Sequence, residues 1–180
     1  MKSSSNSQFD RRNGPHTAII SIGSNLGDKL ENCRRAIESL RSVVQTQLCA
    51  CSRFYKTAPV DYLDQDWFVN AAVKITTRLK ASQLLAALQE IQRRAGRRGD
   101  PVRFGPRIID LDIIFFDAAV IETPELQVPH PRLHKRRFVL QPICDIDPAI
   151  VHPVLNQDVG MLLDQLKDDA QRVEPICCDC

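Results

Sequence analysis

Inside the apolar run IIDLDIIFF, Asp110 and Asp112 stand two residues apart. In an extended strand residues i and i+2 point to one face, so both carboxylates project together while Leu111, Ile113 and Phe115 project to the other. Two like charges side by side on an apolar strand repel each other and resist dehydration. A hard divalent cation relieves both costs, and Mg²⁺ characteristically takes one or two carboxylates together with phosphate oxygens and water. The plainer alternative is a solvated pair near a strand end. Guanidinium groups crowd both sides of the pair: Arg97, Arg98, Arg103 and Arg107 before it, Arg132, Arg136 and Arg137 after it. Arginine offers planar, multidentate donors suited to phosphate. Paired carboxylates among arginines point to phosphoryl-type transfer, which runs mainly on positioning and charge stabilisation. Arginines that merely solvate a loop and a helix face are the alternative.

The chain contains neither GxxxxGK(S/T) nor GxGxxG, which excludes a Walker or Rossmann phosphate cradle. IGSNLGDK has two glycines after a strand and is a weak signal alone. His130 and His134 are four apart in PHPRLHKRR, a spacing that invites a zinc reading. Pro129 and Pro131 make regular helix at His130 unfavourable, so a phosphate-contacting His130 is the better expectation.

Elements must position these groups. Thr17–Ile22 is a short β-rich run closed by a Gly-Ser-Asn turn signal. Leu26, Leu30, Cys33, Ile37, Leu40 and Val44 then trace one face of an amphipathic helix, with Asp28 and Glu31 near its positive end. QTQLCACSRFYKT alternates through Leu48, Ala50, Ser52 and Phe54 and reads as one strand. APVDYLDQD reads as a loop, and FVNAAVKITTRL as a strand. SQLLAALQEIQRRAG reads as a helix capped by Ser82 and ended by Gly96. A Gly/Arg/Pro loop leads to IIDLDIIFF. The order β-α-β-β-α-β is that of an α+β, ferredoxin-like sandwich. A hairpin near Val120–Ile121, a basic helix near Arg132–Val139 and an amphipathic helix near Asp158–Leu166 complete it. Residues 1–16 read as a disordered tail, 17–167 as the domain and 168–180 as a Cys-containing tail.

The chain has 180 residues, 43% hydrophobic and 26% charged, enough for one domain with a real core. Lys plus Arg is 24 against 22 for Asp plus Glu, a net charge of +2 that argues against a dedicated nucleic-acid binder. Seven cysteines at irregular spacing, no leader-like start and no membrane-length apolar run read as a cytoplasmic protein with reduced thiols and no membrane partner.

FGPRIIDLDII resembles the signature of the 6-hydroxymethyl-7,8-dihydropterin pyrophosphokinase family of folate biosynthesis. ISIGSNLGD, FYKTAPVDYLDQDWFVNAAV and VPHPRLHKRRFVLQPICDIDP resemble its other segments, in order, from Thr17 to Leu166. The resemblance implies a ferredoxin-like enzyme that moves the diphosphate of ATP to the pterin's hydroxymethyl oxygen and releases AMP. Asp110 and Asp112 match the aspartates that hold two Mg²⁺ ions. Thr57, Val60, Phe68, Asn70 and Phe138 match the pterin site, the two Phe residues as stacking partners. Arg97 and Arg107 match arginines near the transferring phosphates; Gln89, Phe104, Ile113, His130 and Arg136 match the ATP site. Gly99, Glu125 and Gln92 depart from the pattern. Both loops flanking these residues are expected to close over the substrates. A monomer is expected. A catalytically silent pterin-binding homologue and a ferredoxin-like RNA-binding module are the alternatives.

Overall fold

In chain order the elements are β1 (His16–Ser24), α1 (Lys29–Arg41), β2 (Thr46–Cys51), β3 (Tyr55–Thr57), β4 (Phe68–Thr77), α2 (Ala81–Arg94), β5 (Asp110–Phe116), β6 (Ile121–Glu122), β7 (Gln127–Val128), α3 (Arg137–Ile146), α4 (Val159–Gln165) and β8 (Val173–Pro175). The computed structural model describes residues 14–60, 62–96, 105–166 and 171–177. β1 turns Ala18, Ile20 and Ile22 to one face and Ile19, Ser21 and Gly23 to the other. It pairs antiparallel with β4 on one side and β5 on the other. The main sheet runs β5-β1-β4-β3-β8, with β2 pairing the far half of β4. β2 and β3 together take one strand's place, which gives the ferredoxin-like arrangement expected from the element order.

Each face of the sheet has its own core. On one, Ile20, Ile22, Val73, Leu111 and Ile113 pack against Cys33, Ile37 and Leu40 of α1 and Leu84 and Leu88 of α2. On the other, Ile19, Ala72, Ile114 and Phe115 pack against Leu140 and Ile143 of α3 and Leu162 of α4. Each fully buried Ile or Leu contributes about 1.5–3 kcal/mol relative to exposure. Tyr55 Oη donates to both carboxylate oxygens of Asp145 at 2.8 and 2.9 Å, and Arg53 pairs with the same carboxylate at 2.8 Å. These bonds fasten the C-terminal half of α3 to β3. The N-terminal half is left to form a wall over the sheet.

The structure corrects several sequence expectations. Phe115 lies on the α3 face rather than beside Leu111 and Ile113. Ile20 pairs with Ile113 but Ile19 with Phe115, so Ile114 is an extra residue that flips the side chains after it. The long strand expected through Phe54 is two strands. Ser52 interrupts it: its hydroxyl accepts from Ala72 N–H at 2.9 Å and donates to Arg53 carbonyl at 2.7 Å. α1 ends at Arg41, leaving Leu26 and Val44 outside it at 41% and 79% exposure. Its start matches expectation, with Asp28 accepting from Glu31 N–H at 3.1 Å. α2 begins at Ala81 with Lys80 at its N-cap, whose N–H donates to Gln83 Oε1 at 2.9 Å, so Ser82 sits inside the first turn. Gly96, at φ +91°, does end this helix. His16 is strand rather than tail, its Nδ1 2.7 Å from Asp117. Val173–Pro175 is also strand, paired with β3. The tail residues 1–13 and Cys178 and Cys180 lie outside the described residues.

Candidate active site

Three adjacent strands set the floor of a cavity of about 250 Å³. Gly23 of β1 sits opposite Asp110 of β5 on one side and Asn70 of β4 on the other; Ser21 sits between Asp112 and Ala72 in the same way. Asp110 and Asp112 therefore lie two strand spacings, about 10 Å, across the sheet from the Asn70 row. Both carboxylates line the cavity, as the two-residue period requires.

At the Asn70 end the groups are neutral and buried. Asn70 and Thr57 are 4% and 1% exposed, and Asn70 Nδ2 donates to Thr57 Oγ1 at 2.6 Å. A Cβ at residue 23 would stand 2.7 Å from Asn70 Oδ1, so only glycine lets this amide lie over β1. Asn70 keeps an N–H and its Oδ1 for a ligand's polar edge. Val60, Phe68 and, from the first turn of α3, Phe138 line the same space.

At the other end the groups are charged. Arg107 Nη1 lies 2.5 Å from Asp110 Oδ2, and both side chains are about one-fifth exposed, at 19% and 22%. The Arg107 backbone is held from both sides by Asn25: Arg107 N–H donates to Asn25 Oδ1 at 2.7 Å, and Asn25 N–H donates to Arg107 carbonyl at 3.0 Å. Asn25 Nδ2 also donates to Gln65 Oε1 at 2.9 Å. One buried side chain thus joins the segments that lead to Phe68 and to Asp110. Arg136 lies 5.5 Å from the Phe138 ring centroid, bridging the two ends.

His130 lines the charged end. Burial, reinforced by Arg136 and Arg132 against the pull of Asp110, pushes its pKa down to about 4. It is neutral near pH 7. Its Nδ1 accepts from Arg132 N–H at 3.2 Å, which puts the ring proton on Nε2 and makes it a donor. Among the described residues no three His, Cys, Asp or Glu side chains form a group able to hold a metal.

Of the residues singled out in the sequence, the cavity brings together Thr57, Val60, Phe68, Asn70, Arg107, Asp110, Asp112, His130, Arg136 and Phe138. Arg132, His134 and Arg137 do not line it, nor do two residues matched to the ATP site. Gln89 is on the exposed face of α2, and Ile113 is 2% exposed in the core on the opposite face of the sheet from the carboxylates. Arg97, Arg98, Gly99, Arg103 and Phe104 lie outside the described residues, with most of the loop that carries them. Gln92 Oε1 accepts from Leu111 N–H at 3.2 Å, a buried backbone contact behind the site. Sequence reasoning missed Ser21, Gly23, Asn25 and Gln65. The sequence reads Gly23 as the start of a turn; the structure extends β1 through Ser24 and so places Gly23 inside the strand, where a glycine marks close approach by another group.

Fold and site together define an α+β, ferredoxin-like domain whose cavity is neutral and hydrogen-bonding at one end, carboxylate and guanidinium at the other. Residues 19–148 match the model of the 7,8-dihydro-6-hydroxymethylpterin-pyrophosphokinase (HPPK) family, and the chain belongs to that family. It is 43% identical over 129 residues to the 2-amino-4-hydroxy-6-hydroxymethyldihydropteridine pyrophosphokinase of Bacillus subtilis, covering 72% of this chain and 77% of the relative. It is 38% identical over 156 residues to the folic acid synthesis protein fol1 of Schizosaccharomyces pombe, covering 87% of this chain but 21% of that much longer protein. The fold is that of Plasmodium falciparum HPPK-DHPS in its structure with pteroate: TM-score 0.69 at 14% identity, over 92% of this chain and 43% of that one.

Proposed function

We propose that the chain transfers diphosphate from ATP to the hydroxymethyl oxygen of 6-hydroxymethyl-7,8-dihydropterin. One observation carries the reading: a single cavity joins the Asn70–Thr57 amide recognition group to the Asp110–Asp112 pair. The hydroxymethyl oxygen attacks the β-phosphorus, the bond from that phosphorus to the α–β bridging oxygen breaks, and AMP leaves with the electron pair. The hydroxyl proton goes to solvent.

Asn70 reads the pterin's donor and acceptor edge, while Phe68 and Phe138 stack on its faces and Thr57 and Val60 close the pocket. Asp110 and Asp112 fit Mg²⁺, with two ions proposed; when bound they supply counter-charge to the phosphate oxygens. Arg107 neutralises Asp110 and offers its fork towards the transferring phosphates. Arg136 and the Nε2–H of His130 donate to ATP. The family resemblance alone supports Arg97 near the transferring phosphates and Gln89, Phe104 and Ile113 near ATP. A monomer in the cytoplasm, without nucleic-acid or membrane partners, completes the proposal. Near-balanced charge supports the part of it that concerns nucleic acid.

Phosphorus NMR of protein, ATP, Mg²⁺ and the pterin tests the reaction. AMP and a diphosphate ester growing in step are expected. ADP with a monophosphate ester would make the chain an ordinary kinase and end the proposal.

A further inference from the structure

The family match stops at residue 148, yet residues 171–176 hold three walls of the cavity. β8 lies antiparallel to β3 with Val173 opposite Thr57. On either side of that pair Ala58 N–H donates to Arg172 carbonyl at 3.0 Å, and Ile176 N–H donates to Phe54 carbonyl at 2.8 Å. This is the wall of Thr57 and Ala58. The second wall is the turn that enters α3. Gln171, 9% exposed, accepts from Arg137 N–H at 2.9 Å and donates to Lys135 carbonyl at 3.0 Å. The first N–H groups of a helix have no partner within it, so the Gln171 amide supplies one beside Phe138. The third wall carries Phe68. Its neighbour Trp67 has the Arg172 guanidinium 5.2 Å from its ring centroid, with Lys56 Nζ at 4.9 Å.

We infer that Gln171 and Arg172 are positioning residues for the heterocycle end of the cavity, the anchor of a C-terminal strap that holds Thr57, Phe68 and Phe138 in mutual register. The inference rests on the pterin reading above. Two consecutive residues reach all three walls, and each wall carries one of the groups assigned to the pterin. The strap bonds the backbone on either side of Arg136, at Lys135 and Arg137, whereas Asp112 lies on β5, His130 on the β7–α3 connection, and Arg107 is held by Asn25. A residue that served only general stability would lower the melting temperature and leave the two substrates equally affected. A strap at one end of the cavity discriminates between them.

Gln171→Ala in the full chain is the test, read by two-substrate kinetics and by amide exchange without substrates. Leaving a buried N–H unpaired costs enough to raise the pterin KM about tenfold. The ATP KM should rise less, by about threefold at most, because Arg136 is the ATP-site residue whose backbone neighbours Gln171 bonds, whereas all three pterin walls depend on the strap. Exchange at Ala58 and Arg137 should quicken. An unchanged pterin KM, or equal rises for both substrates, would overturn the inference. Arg172 is exposed, so Arg172→Ala serves if the first variant fails to fold. It should raise the pterin KM about threefold and shift the emission of Trp67, the chain's single tryptophan. No effect on either would also overturn it. If the wild-type chain makes no AMP, the functional reading fails on its own. Exchange at Ala58 and Arg137 then still judges the strap, faster exchange in the variant supporting it and unchanged exchange removing it.

Discussion

Where Asn70 meets Thr57, the cavity is lined by neutral groups almost wholly withdrawn from water and already hydrogen-bonded to each other. Two strands away, Asp110 and Arg107 keep about a fifth of their surface exposed and carry full charges. On the proposed function, the difference follows from what each end would recognise. A neutral polar edge is told apart by the hydrogen bonds it fails to make, and that penalty is large only where water cannot substitute. Fixed, buried donors and acceptors therefore belong at the heterocycle end. Charges buried without partners would cost several kcal/mol each, which suits the charged end's partial exposure and its Arg107–Asp110 pairing. Gly23 stands between the two, opposite Asp110 on one side and Asn70 on the other.

The most damaging way to break the charged end is Asp112→Asn, which keeps the shape and removes the charge. Pterin-dependent AMP release should fall about 10³-fold, with the fold intact by circular dichroism. Undiminished turnover would remove Asp112 from the chemistry. At the neutral end, Gly23→Ala puts a Cβ 2.7 Å from Asn70 Oδ1 and must displace that amide. Its pterin KM should rise roughly 10- to 100-fold while the ATP KM moves little. Asn70→Ala should give a rise of about tenfold with the same asymmetry. If either variant changed ATP instead, the two ends would be wrongly assigned.

The smallest effect is on stability. His130 has its folded-state pKa pushed from 6.5 down to about 4, so the unfolded chain takes up the proton first as pH falls. Stability from this residue is complete above about pH 6.5, is lost between about 6.5 and about 4, and changes no further below that. His152, buried and near His134, is shifted in the same direction. His130→Gln should flatten the decline in melting temperature between pH 6.5 and 5 without abolishing it. An unchanged slope would mean that His130 takes up its proton as readily in the folded chain as in the unfolded one.

The paired carboxylates were legible because a period of two is a property of any strand, whatever its partners. Phe115 was not, because the bulge at Ile114 exists only in the pairing of β5 with β1. The same reason hides β8: three residues ending in proline carry no pattern of their own and become a strand only because β3 offers an open edge. Among site residues, those whose chemistry is in the side chain could be singled out directly or through motif resemblance. Gly23 and Asn25 act by making room and by holding backbone. Those roles appear only once Asn70, Arg107 and Gln65 are seen around them.

AMP release from ATP, measured with and without 6-hydroxymethyl-7,8-dihydropterin, in Mg²⁺ and then in EDTA, tests the joining of the two ends most directly. AMP that requires both the pterin and the metal is the expected result. AMP formed equally without the pterin, or undiminished in EDTA, would contradict a site in which the heterocycle end delivers its hydroxyl to phosphates held at Asp110 and Asp112.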